Sequence, residues 1–501
     1  MKAPPREGPR DGGWVWSREL GKGGAEFMSI GIRKRTLLAS LSAVAVAVAV
    51  LATLGAAFAR AQSSPIRHIV VLDLENHSFE NVLGFWCQKA TLPDGVTPRC
   101  GPGDAMPASV TLSNGARVTP SVMRDVVPTV NHSMNSQLAA MDGGKMDGWQ
   151  KTGLGTCNAT KTPPYQCIGG YTASQLPNIT ALARAYPIED RFFSLKDSPS
   201  WGGHMYAVAA TTDGFTGDNP IMPAGGTAGP GWGCDSRLVA RWAAGGPPQP
   251  SCVPDFALNP AQYPNGGAFA PTKARHVPTI MDSLDTAGLS WRIYGETDAS
   301  AFGYRWSVCP TFAECLDTSQ RANLVDSGQF ITDAAAGRLP AFSLITAGGS
   351  NIAGNCHNGF SMTACDNYVG RVAEAVMKSP EWSSTALFIT WDDYGGFYDS
   401  QPPAVNPDGT QQGMRLPLIV VSPYAKPAFT DSTPATFASI LTFAEHTFGL
   451  PPLGKNDSSA YDLSGMFSLA VAPYLGHQPH MVTRPVPKTD HIQWQQARQG
   501  S

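Results

Sequence analysis

An unbroken apolar run, Ile69-Val70-Val71-Leu72, is the feature that most restricts what this chain can fold into. A strand with one wet face alternates polar and apolar residues. A β-branched run without alternation is buried on both faces, the habit of a parallel strand inside an α/β sheet. The run continues into Asp73-Leu74-Glu75-Asn76-His77-Ser78, so acceptor-rich side chains stand at the carboxyl end of the strand, where open α/β sheets bind ligands. A second stretch repeats the pattern, with Leu387-Phe388-Ile389-Thr390-Trp391 leading into Asp392-Asp393 and then Gly395-Gly396. Consecutive residues at a strand end point to opposite faces unless the chain turns there, and the glycine pair permits that turn. Glu75, Asn76, Asp392 and Asp393 make an all-oxygen set suited to a hard divalent cation. The competing reading, that each acidic pair merely caps a following turn or helix, is weakened by finding two pairs at equivalent strand ends.

Further runs alternate in type. Residues 187–194, 290–294, 341–345, 385–391 and 416–421 read as strands. Residues 176–185, 201–210, 278–287, 366–377 and 434–448 read as helices, and another ends at Met141. This alternation predicts one large α/β domain over residues 62–476, with a mainly parallel central sheet flanked by helices. Residues 213–275, rich in Gly, Pro and Asn, predict a loop-rich excursion or small cap, and residues 477–501 a polar, disordered tail.

Ahead of the domain, Arg33-Lys34-Arg35, an apolar stretch over 37–58 and Ala59-Arg60-Ala61 have the order of an export signal within residues 1–61. Met28 is the expected start. The stretch is also long enough to be retained as an anchor. No later segment is apolar enough to span, so the expectation is a periplasmic or extracellular protein with no stable membrane span after signal removal. All ten cysteines follow the signal, and an even count in an exported chain implies disulfides. Their consecutive spacing suggests five local loops, 87–100, 157–167, 234–252, 309–315 and 356–365, although sequence alone leaves the connectivity open. No Cys-x-x-Cys occurs, which argues against a zinc–thiolate or redox site. Of the 36 Lys+Arg and 39 Asp+Glu, residues 1–61 take 9 and 4, leaving 27 against 35. An acidic chain without a basic run has no electrostatic case for nucleic acid.

Ile66-Arg67-His68-Ile69-Val70-Val71-Leu72 followed by Glu75-Asn76-x-Ser78-Phe79 resembles the opening motif of the bacterial phosphoesterase family, which holds phosphatidylcholine-type phospholipases C and acid phosphatases on an alkaline-phosphatase-like fold. Trp391-Asp392-Asp393-x-Gly395-Gly396-Phe397-Tyr398-Asp399 resembles its second signature. Met414-Arg415-Leu416-Pro417, Ser422-Pro423-Tyr424, Ser439-Ile440-Leu441 and Phe448-Gly449-Leu450 resemble downstream blocks. The resemblance runs from about Ile66 to Phe467. It implies that Glu75, Asn76, Asp392 and Asp393 hold a divalent metal cation, and that Ser200 is a hydroxyl nucleophile sharing that metal.

Such an arrangement is chemically coherent, because a metal lowers the pKa of a bound hydroxyl and neutralises phosphoryl oxygens. A helix starting after Ser200 would add backbone N–H groups. The plain alternative for Ser200 is an N-cap, and Ser198 is the nearest competitor as nucleophile. His132, His204 and His357 lie in family-like blocks and are candidates for phosphate contact and leaving-group protonation; two of the three are expected in the site. The chain departs from the family at His77, often Arg, and at Ser400, often His. Ser200-Trp201-Gly202-Gly203-His204 replaces the Thr-Trp-Pro-Asn-Arg of the phospholipase branch, which leans toward the phosphatase branch.

Other motifs fail on their own terms. Gly449 to Lys455 mimics a phosphate loop, but Asn456 stands where Ser/Thr is required and a helix precedes it. No G-x-S-x-G is present. The sequence therefore predicts an exported, metal-dependent phosphoric ester hydrolase of acid-phosphatase type acting on a phosphate-ester substrate. The alternatives are a phospholipase C acting on phospholipid, and an inactive phospho-ligand binding protein.

Overall fold

A computed structural model of the chain describes residues 64–487 apart from 127–129, 153–156, 158, 161–163, 212–214, 216, 242–245, 254–276, 347, 472 and 477. The export signal read at 1–61, and a large part of the 213–275 excursion, lie outside the described residues. In chain order, the elements that place the site are β1 (His68–Leu74), α1 (Met134–Met141), α2 (Pro177–Ala185), β2 (Ile188–Glu189), α3 (Ser200–Tyr206), α4 (Ile280–Thr286), β3 (Trp291–Gly295), β4 (Leu324–Asp326), α5 (Gln329–Ala335), β5 (Phe342–Thr346), α6 (Met362–Met377), β6 (Thr385–Trp391), β7 (Leu418–Val421), β8 (Thr430–Asp431) and α7 (Phe437–Phe448).

The eight strands form one sheet in the order β4-β3-β5-β1-β6-β7-β2-β8. β4, β3, β5, β1 and β6 run parallel. β7 runs against both β6 and β2, and β8 rejoins the common direction beside β2. The sheet is thus mainly parallel with one reversed strand, a reversal that the sequence pattern did not foreshadow. Its cause is local: the connection from Asp392 to Pro417 holds no helix, and a parallel return needs a crossover element. The short strand β4 and helix α5 also escaped the sequence reading, for neither carries a run long enough to show a period. The stretch 187–194 divides between β2 and a separate pairing of Phe192–Phe193 with Ala435–Thr436.

β1 sits at the sheet centre, as its composition requires. Ile69, Val70, Leu72 and Leu74 are fully buried, each such side chain contributing about 1.5–3 kcal/mol. Helices flank the sheet, and α7 packs Phe443 on Phe388 of β6 at 5.2 Å between ring centroids. All five disulfides join consecutive cysteines, 87–100, 157–167, 234–252, 309–315 and 356–365, as the spacing suggested. The segment read as a disordered tail is bound at its start. The Val482 N–H donates to Asn178 Oδ1 at 2.7 Å, and Arg484 pairs with the buried Asp366 at 3.3 Å. Residues 488–501 lie outside the described part. Among the described residues no helix is long and apolar enough to cross a membrane.

One buried acid sets a pH dependence. Glu189 is fully buried; its Oε1 accepts the Arg191 N–H at 2.8 Å and its Oε2 has no partner. Burial, reinforced by Asp431 and Asp190, pushes its pKa from 4.5 to about 10. The folded chain then keeps Glu189 protonated where the unfolded chain ionises it, so stability falls as pH rises through that interval. Glu189→Gln should raise the Tm more at pH 8 than at pH 5 in thermal unfolding. Equal shifts at both pH values would show that the carboxyl does not titrate in this way.

Candidate active site

β1 and β6 lie side by side with Leu74 opposite Trp391, so the acidic pairs leave the sheet at one level. The Asp392 N–H extends the ladder to the Leu74 carbonyl at 2.8 Å. Asn76 turns the chain at φ 62°, and its N–H donates to Asp392 Oδ1 at 2.8 Å, which also accepts the Asp393 N–H at 2.7 Å. Gly395, at φ 64°, closes the second block on the first. A Cβ there would lie 2.1 Å from the Asn76 carbonyl oxygen.

Helix α3 lies across these turns. A Cβ on Gly203 would meet the Asp392 carbonyl oxygen at 2.6 Å, so only glycine permits this approach. Ser200 opens the helix and His204 follows one turn later on the same face. Ser200 Oγ stands 3.2 Å from Asp393 Oδ2, to which it donates, and 3.4 Å from Asn76 Oδ1. His204 Nε2 lies 2.7 Å from Glu75 Oε1 and Nδ1 lies 3.2 Å from Asp73 Oδ2. Glu75, His204 and Asp392 offer ligand atoms within 4.8 Å of one another.

Asp73, Glu75, Asp392, Asp393, Ser200 and His204 are all buried. Burial, with the neighbouring charge of Asp392, pushes Glu75 up to about 8. Burial and the charge of Asp393 do the same to Asp392, and burial drives Asp393 to about 8. Burial opposes charge on His204, but Glu75 and Asp73 outweigh it and hold the imidazole well above its ordinary value. Asp392 Oδ2 and Asp73 Oδ1 have no hydrogen-bond partner. Four buried carboxylates against one imidazolium, with an orphaned oxygen at the centre, are a donor set that fits a divalent cation.

The structure redistributes the roles read from sequence. His204 belongs to the acidic floor with both ring nitrogens engaged, so it is not free to protonate a leaving group. Asn76 directs its amide to Glu75 Oε2 at 3.2 Å, and Asp393 faces Ser200. His132 and His357 meet edge to face with centroids 6.2 Å apart, both half-buried. Each donates Nδ1–H to a carbonyl, His132 to Val130 at 3.0 Å and His357 to Asn358 at 2.9 Å, which leaves Nε2 as the acceptor in the neutral ring. Burial lowers the pKa of both, and His132 and Arg305 help to bring His357 down to about 3.

Ser198 is turned away, its Oγ 3.2 Å from the Gly217 carbonyl. Ser200 is no N-cap, since Pro199 holds that place. The Trp201 N–H at the helix start is taken by Asn219 Oδ1 at 2.9 Å, so it is not available to a phosphate. His77 is buried and stacked on Phe397 at 4.9 Å, away from the floor. Ser400 donates to Glu80, part of a buried network in which Arg415 binds Asp399 at 2.9 Å, Asp104 at 2.7 Å and Glu80 at 3.4 Å. That network ties together the chain following each acidic pair. Asp73 was missed, although an acid inside a fully buried strand requires a partner and was a readable signal.

The model of the phosphoesterase family matches residues 66–451. The chain belongs to the phosphoesterase family. It is similar to non-specific phospholipase C1 of Arabidopsis thaliana, 26% identical over 397 residues covering 72% of this chain and 61% of that protein. It is also similar to phospholipase C A of Mycobacterium tuberculosis, 24% identical over 458 residues covering 81% of this chain and 78% of that one. This phosphoesterase-family chain spans about six tenths of the length of the plant relatives it matches. Among solved structures, a protein of the alkaline phosphatase superfamily from Vibrio parahaemolyticus aligns at TM-score 0.33 and 14% identity, covering 58% of this chain and 64% of that one.

Proposed function

We propose that this protein is a metal-dependent phosphoric ester hydrolase in which Ser200 is the nucleophile. The observation that carries the reading is the placement of Ser200 Oγ, 3.2 Å from Asp393 and 3.4 Å from Asn76, beside the Glu75, His204 and Asp392 cluster. An anionic ester cannot approach so acidic a floor unless positive charge is held there. Glu75 and Asp392 would hold a divalent cation together with His204, whose Nε2 would have to give up its proton to serve as a ligand, with Asn76, Asp393 and Ser200 beside it. When bound, it supplies charge neutralisation and favours the ionised hydroxyl.

The chain's own groups do the rest. Asp393 fixes the hydroxyl's orientation and is placed to take its proton. Attack on phosphorus breaks the bond to the ester oxygen, releases the alcohol and leaves a phosphoseryl enzyme, from which water displaces Ser200 to free the phosphate product and restore the hydroxyl. His132 is the better leaving-group acid of the facing pair, because His357 is held lower and an arriving phosphate raises the pKa of a neighbouring imidazole. Export from the cell remains part of the proposal and rests on the signal-like sequence and the five disulfides.

The substrate reading taken from Ser200-Trp201-Gly202-Gly203 is a phosphomonoester. A phospholipase C reading is favoured by the names of the relatives. Hydrolysis of p-nitrophenyl phosphate against p-nitrophenyl phosphorylcholine, with and without chelator, separates the two. Turnover of neither by folded, metal-loaded protein sinks the hydrolase reading.

A further inference from the structure

The acidic floor has a basic rim, and one member of it lies outside every motif considered above. Arg305 belongs to the turn Phe302–Trp306, whose last residue packs its ring 5.2 Å from His357. The guanidinium lies 3.9 Å over the Phe302 ring and 5.3 Å from the centroid of Trp232, which comes from the loop-rich excursion. Among the described residues it has no carboxylate or carbonyl partner. Half-buried arginines are ordinarily paired, because five N–H donors removed from water call for acceptors. Two aromatic faces hold this cation in place but satisfy none of its N–H groups in their own plane. The turn packs against helix α3, which opens on Ser200, and with Trp306 set against His357 this puts Arg305 on the rim of the Ser200 floor and not on a remote surface.

We propose that Arg305 is a phosphate-binding residue, its guanidinium pairing with non-bridging oxygens of a phosphoryl group presented to Ser200. This deepens the hydrolase reading and rests on it. A planar fork suits phosphoryl oxygens, and the rings of Phe302 and Trp232 preorganise it, so little side-chain freedom is lost on binding. The phosphoryl group comes either from a monoester or from a phospholipid head group, and the clamp serves both.

The test uses the full chain with Arg305→Met, which keeps the contact with the rings and removes the charge, and Arg305→Lys, which keeps the charge and removes the fork. Inorganic phosphate is the binding probe, followed by titration calorimetry and as a competitive inhibitor. Arg305→Met should weaken phosphate binding about ten- to a hundredfold, the size of one hydrogen bond to a charged group. It should raise KM more than it lowers kcat, with Arg305→Lys intermediate.

The substrate arms are p-nitrophenyl phosphate and p-nitrophenyl phosphorylcholine, and the arm that loses most identifies the source of the phosphoryl group. Unchanged phosphate affinity in Arg305→Met, with the fold intact by circular dichroism, overturns the proposal. Because calorimetry needs no turnover, wild type that hydrolyses neither substrate removes only the hydrolase reading if its phosphate binding still depends on Arg305. Wild type that binds no phosphate at all overturns the clamp.

Discussion

Ser200→Ala is expected to lower kcat by about 10⁴- to 10⁶-fold on any phosphate ester the protein hydrolyses, the scale seen when a nucleophile is removed from a preorganised site. KM should change little, because the floor, the facing histidines and Arg305 are untouched. Losing the hydroxyl that donates to the buried Asp393 Oδ2 at 3.2 Å should cost about 1–3 kcal/mol of stability, within the usual margin of a folded domain, so the variant will fold and the loss can be read as chemistry. Ser198→Ala is the matched control. Its hydroxyl serves the Gly217 and Pro199 carbonyls, and activity should be retained. Intact-mass measurement after acid quench should show a phosphoryl adduct on wild type and none on Ser200→Ala. Full activity in Ser200→Ala would remove this residue as nucleophile and reopen the role for a water molecule.

Much of this candidate site is legible in the sequence, for a physical reason. Apolar runs such as Ile69–Leu72 and Leu387–Trp391 announce strands buried on both faces, and whatever follows them stands at the binding edge of the sheet. Glu75-Asn76 and Asp392-Asp393 could therefore be placed at equivalent strand ends, and the Leu74–Trp391 register makes those ends neighbours. Roles within the site were harder to see. In sequence His204 is one of three candidate histidines with no role singled out, because spacing cannot show that Asp73 and Glu75 bracket its ring at 3.2 and 2.7 Å. Arg305 was invisible because nothing local marks it; its position comes from a turn packed on His357 and from a ring supplied by a distant excursion. The reversed strand β7 was missed for a related reason, since an apolar run carries no direction and only the connection before it does.

Removing divalent cation should have the second largest effect, and the response of Asp392→Asn separates its cause from a general loss of structure. Saturating cation at about 100 times its Kd should stabilise wild type by about 2.7 kcal/mol, visible as a rise in Tm that chelator reverses. Chelation should also cost several kcal/mol of transition-state stabilisation, which is about a thousandfold or more in kcat. In Asp392→Asn both responses should vanish. Its stability in chelator, however, should equal or exceed that of wild type. Burial and Asp393 push the Asp392 carboxyl to about 8, so near neutral pH the metal-free protein carries an acid that resists ionisation, and its Oδ2 has no hydrogen-bond partner. An asparagine at this position keeps an oxygen to accept the Asn76 and Asp393 N–H groups and replaces the orphaned oxygen with a donor facing an acidic neighbourhood. Lower stability of Asp392→Asn than of wild type in chelator would contradict this electrostatic account. A wild type whose Tm and turnover ignore magnesium, manganese, calcium, zinc and chelator alike would remove the cation from the site and leave the four carboxylates to be explained as proton carriers.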